Sequence, residues 1–145
     1  MNTERLTLPW WLLRAVLGAT AFLAGLDKFF NLLTDWTAYL SPLATAVLPM
    51  SAISFLHIVG VVEIAVGAAI LAGYTRAGGY IAGAWLLAIA LNLLTTGRYF
   101  DVAVRDVAMA VAAFTLARLT EAGVVEVNAW ARVPQPLGNT KTVTA

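Results

Sequence analysis

Four ionisable residues fall inside long apolar runs of this sequence: Arg14, Glu63, Arg105 and Asp106. A charge in hydrocarbon costs several kcal/mol, about 3 on insertion scales, unless it is paired or faces a wet cavity. Each therefore needs a partner or a purpose. Counted inward at about 1.5 Å per residue from the ends of antiparallel helices, Arg14 and Glu63 differ in depth by roughly 8 Å. An arginine side chain largely spans that gap. The spacing predicts a buried Arg14–Glu63 ion pair, which either fixes helix register or takes part in function.

A second group gathers toward the other half of the helices: Asp27, Lys28, His57, Asn92, Arg105 and Asp106. In one reading Lys28 and Arg105 snorkel to headgroups while Asp27 and Asp106 neutralise them; in the other, the group lines a polar pocket for a quinone or a lipid headgroup. His57 is the only histidine, and no metal-ligand spacing surrounds it, so neither a bis-histidine haem nor a metal centre can be assembled from this chain alone. Its ring can serve as a structural hydrogen-bonding group, a proton relay or a donor to a quinone carbonyl. With no cysteine, the chain cannot run dithiol exchange, ligate an iron–sulfur cluster through thiolates or attach a c-type haem. No covalently bound cofactor is expected.

The elements that must carry these residues follow from composition. Of 145 residues, 61% are hydrophobic and only 12% charged, about half the charged share of an ordinary soluble domain. Nine basic against eight acidic residues make no field for nucleic acid. The fold class expected is all-α: an integral membrane four-helix transmembrane bundle with spans near 8–30, 51–72, 77–94 and 102–120, since about twenty helical residues cross a bilayer. Continuous apolar runs, rather than short alternating segments, disfavour a barrel. Thr7 with Pro9, Ser51, Thr75 and Asp101 mark helix starts; Gly73, Gly97 and Gly123 mark stops.

Arg5 before an apolar stretch and the small residues Ala19–Ala21 also resemble a cleavable signal, but Arg14 interrupts its apolar centre, which favours a retained first span. The segment from Leu32 to Met50, with Asp35, Trp36, Tyr39, Pro42 and Pro49, is too broken to cross and is expected to lie at the interface as a short helix and a turn. Residues 1–123 thus form the transmembrane part and 124–145 an extramembrane tail.

Basic residues accumulate on the cytoplasmic side. With four spans, Arg5, Arg76, Arg118, Arg132 and Lys141 share one face against Lys28, Arg98 and Arg105, so both termini are expected to be cytoplasmic. Gly79 and Gly83 form a small-xxx-small pair, and Gly18, Gly25, Gly60 and Gly67 mark close helix contacts. Trp10, Trp11, Trp85 and the Tyr99–Phe100 pair fall at or near span ends, where most serve as interface anchors.

Taken together, the sequence resembles the DoxX family of small four-helix membrane proteins. The resemblance rests on Arg14, Gly18, Phe22, Gly25, Lys28 and Phe29, then Gly60, Glu63, Gly67, Gly73, Thr75 and Arg76, with Asn92 and Asp106 at later polar positions. It covers about Leu8 to Thr120. It implies a bacterial-type inner-membrane subunit that accompanies larger membrane or peripheral redox subunits; DoxD relatives belong to a thiosulfate:quinone oxidoreductase. The lack of cysteine departs from thiol-active relatives. Three functions follow as expectations: a non-catalytic or quinone-binding subunit of an oxidoreductase, a purely structural subunit, or a small-solute or proton pathway.

Overall fold

A computed structural model describes residues 4–123, and every regular element in them is helical. The elements are α1 (Glu4–Asp27), a 3-10 turn (Trp36–Tyr39), α2 (Pro42–Val47), α3 (Ala52–Ala72), α4 (Thr75–Thr95) and α5 (Phe100–Glu121). The tail expected over 124–145, with Arg132 and Lys141, lies outside the described residues.

Three helices are long and apolar enough to cross a membrane: Leu6–Asp27 within α1, then α3 and α4. Helix α5 matches them in length, yet Asp101, Arg105, Asp106, Arg118 and Glu121 make it more polar. Large apolar side chains face outward, including Leu8, Leu12, Leu23, Ile53, Val61, Ile81, Leu91, Val104 and Val111. A soluble monomer rarely exposes so much contiguous apolar surface, whereas lipid covers it without cost.

Helix ends follow local chemistry. The Ser51 hydroxyl accepts the Ser54 N–H at 3.1 Å and opens α3. Gly73 closes it at φ 110°, a left-handed conformation that strains any residue with a Cβ. Its N–H and that of Tyr74 take up the Ile70 and Ala69 carbonyls, and α4 begins at once with Thr75. The first helix starts at Glu4, earlier than Pro9 suggests, so Pro9 lies inside α1. As the sixth residue it lies past the unpartnered first turn, so the helix forgoes one backbone bond there, the one to the Arg5 carbonyl.

Helix α1 packs along α3 and α4 along α5, with α1–α5 and α3–α4 contacts joining the pairs. Gly18 lies against Gly67 and Leu71, and Gly25 against Gly60. Gly79 abuts the Ala113 carbonyl and Gly83 the Phe114 ring, so the small-residue positions bring helices together as expected. The core between the pairs holds Trp10, Leu17, Ile70, Ala82, Ala113 and Leu116. Trp10 is 1% exposed and donates its indole N–H to Thr120 Oγ1 at 2.8 Å, so it is a core residue rather than an interface anchor.

Candidate functional site

The register of α1 on α3 decides which charges meet. With Gly18 on Gly67 and Gly25 on Gly60, Arg14 falls opposite Leu71 and Lys28 opposite His57. The expected Arg14–Glu63 pair does not form: Glu63 bonds Lys28 instead, and both side chains are buried. The Lys28 Cβ lies beside Gly60, and its flexible stem runs one helical turn along α3 to Glu63. Arg14 donates from Nε to the Ile70 carbonyl at 3.1 Å and from Nη2 to the Leu71 carbonyl, in the last turn of α3. That turn lies about 10 Å along the helix from Glu63, too far for one side chain to serve both.

Three further groups complete the surroundings of Lys28 and Glu63. The second Glu63 oxygen accepts the Trp85 indole N–H at 3.4 Å, which places Trp85 mid-helix and inward rather than at a span end. The Lys28 ammonium stands 3.8 Å from the centroid of the Trp36 ring, a cation–π contact. Asp106 on α5, 4% exposed, lies within electrostatic reach of Lys28 and bonds its neighbour Arg105 at 3.2 Å. Four segments of chain thus deliver charge or indole N–H to one interior region.

The connector between α1 and α3 is tied over this region at two points. Asp27 accepts the Leu32 N–H at 2.9 Å, the Leu33 N–H at 3.1 Å and the Trp36 indole N–H at 2.8 Å. Asn92 donates to the Tyr39 carbonyl at 2.7 Å and accepts the Ser41 N–H at 3.1 Å, pairing with backbone as a strand neighbour would. Asp27 and Asn92 therefore hold backbone, and neither faces open space.

A cleft of about 360 Å³ opens beside the connector, lined by Lys28, Asn31, Asp35, Thr37, Ile53, Leu56 and His57. His57 stacks on Phe29 with centroids 4.8 Å apart and planes 11° from parallel. One Asp35 oxygen accepts the Thr37 hydroxyl at 2.6 Å and the Thr37 N–H at 3.0 Å, and these bonds hold its carboxyl below the ordinary range. Of the six residues expected to cluster, Lys28 and His57 line this cleft. Arg105 and Asp106 pair with each other on α5. Asn31, Asp35 and Thr37 join the cleft because the chain turns at Asn31, which has φ 51°, and sequence spacing carries no sign of that.

No group of three or more His, Cys, Asp or Glu side chains able to hold a metal occurs among the described residues. No family model, curated protein or solved structure matches the chain.

Proposed function

We propose that this chain is a four-span, DoxX-like subunit of a redox complex in a bacterial-type inner membrane, with both termini cytoplasmic, and that it holds a quinone while anchoring larger partner subunits. In this reading α5 is the fourth span: it packs along α4 and keeps Asp106 inward, while the exposed Arg105, near the start of the helix, snorkels to the headgroups. The observation that carries the proposal is the cleft at the connector end. It offers Asn31 and His57 as hydrogen-bond donors to quinone carbonyls, with Ile53 and Leu56 as an apolar wall for the ring. Exposed Phe29, Leu32 and Leu33 nearby supply a path for an isoprenoid tail.

A second reading, a purely structural subunit, draws on a different fact. No buried side-chain nitrogen or oxygen among the described residues lacks a partner, as expected of a scaffold.

The test is purification of the complex in gentle detergent, identification of co-purifying subunits and measurement of extractable quinone per chain. The redox reading expects larger subunits and quinone in the wild type, with His57→Ala lowering quinone occupancy. Ile81→Ala, an exposed position on α4 that does not line the cleft, serves as control. Wild-type complex free of quinone, or equal occupancy in His57→Ala, leaves the structural reading.

A further inference from the structure

Arg14 lies near the middle of α1, beside the last turn of α3 and away from the cleft. No carboxylate stands within ion-pair distance of it among the described residues. Two of its five N–H groups go to the Ile70 and Leu71 carbonyls, capping the end of α3 from a neighbouring helix. Those carbonyls offset only part of a unit charge.

The guanidinium is also framed by aromatic rings, 4.7 Å from the Trp11 centroid and 5.4 Å from that of Trp10. Trp10 turns its N–H inward to Thr120, while Trp11 is 49% exposed and Tyr74, just past the α3 cap, 71% exposed. Half-exposed aromatics at the end of a span mark headgroup depth. Arg76 and Arg118 are exposed on the same end, where Glu121 partly balances them.

From this we propose that Arg14, held rigid by the α3 carbonyls and the two indole rings, binds the phosphodiester of an anionic phospholipid. A guanidinium with free N–H groups matches phosphate oxygens, and its planar fork is already fixed in place. Selection for an anionic lipid follows from charge: among the described residues the site has no free carboxylate to accept the ammonium of a zwitterionic headgroup. This proposal uses no part of the quinone cleft and stands or falls separately from it.

The test places the full chain in nanodiscs containing phosphatidylcholine and phosphatidylglycerol brominated on its acyl chains, reading lipid retention by native mass spectrometry and tryptophan quenching. The wild type is expected to favour phosphatidylglycerol by about fivefold, the ratio that one basic residue contributes at an anionic surface. Arg14→Gln should abolish the preference and Arg14→Lys keep part of it. Arg98→Gln, removing an equal charge at the α4–α5 turn, should leave it unchanged. Equal retention of the two lipids by the wild type overturns the proposal even if Arg14→Gln does not fold. So does an equal loss in Arg98→Gln, which would reduce the effect to net charge. Inorganic phosphate alone should not raise the melting temperature in detergent; if it matches phosphatidylglycerol, the site is for a free anion and the lipid assignment fails.

Discussion

Gly25 and Gly60 meet face to face across α1 and α3, so closely that a Cβ on Gly25 would lie 2.6 Å from the Gly60 carbonyl, and one on Gly60 2.7 Å from that of Gly25. Neither helix can slide or rotate without losing this contact. It is the contact that sets Lys28 beside Gly60 and within reach of Glu63.

Gly25→Ala and Gly60→Ala should each force the helices apart and cost about 1–3 kcal/mol, the usual penalty of overpacking. Unfolding by a denaturing detergent, titrated against the wild type, measures it. A neutral Gly25→Ala would mean that α1 and α3 do not touch here.

Removing one member of the Lys28–Glu63 pair strands the other in the interior. Lys28→Met or Glu63→Gln alone should lose roughly 3–5 kcal/mol, and the double variant Lys28→Met/Glu63→Met should recover most of it. A double-mutant cycle on Arg14 and Glu63 should give additive effects, since the two do not touch. Strong Arg14–Glu63 coupling with none between Lys28 and Glu63 would overturn this arrangement.

Asn92→Ala removes both bonds that hold the connector at Tyr39 and Ser41. The expected result is faster amide hydrogen exchange across the 3-10 turn and α2, with a stability loss of about 1–3 kcal/mol from the groups left unpaired. Exchange unchanged in this segment would show that Asn92 does not restrain it.

Asp35 sits outside the spans, and the Thr37 hydroxyl and N–H both favour its charged form. A carboxyl lowered on folding contributes stability at pH values above its unfolded pKa, and that contribution is lost as pH falls through the folded pKa. Thr37→Val should therefore raise the Asp35 pKa toward the ordinary carboxylate value, read by NMR of the labelled carboxyl carbon, and should make the connector less sensitive to acid. An unmoved pKa would rule out the hydroxyl as a cause.

Much of the fold was legible in the chain. Apolar runs of helical length announced α1, α3 and α4, and Ser51 and Gly73 bounded α3 where capping chemistry required. These are local properties: a run of apolar residues and a capping hydroxyl act within a turn or two of themselves. The glycines also predicted close helix contacts. The matched seven-residue spacings of Gly18–Gly25 and Gly60–Gly67 even contain the register, since two such pairs interlock in antiparallel helices with Arg14 opposite Leu71.

Partner choice was decided elsewhere. Depth counted from helix ends put Arg14 near Glu63, but α1 begins at Glu4 and its glycines, not its ends, align it with α3. The packing of α4 on α3 carries Trp85 inward to Glu63, and the turn at Asn31 brings Asp35 and Thr37 to the cleft. Composition and pattern by themselves determined an apolar, helical chain with charges that had to be satisfied. Which charge satisfies which was set only by tertiary packing, because a side chain reaches a few ångströms and one turn of helix moves it by about 5 Å.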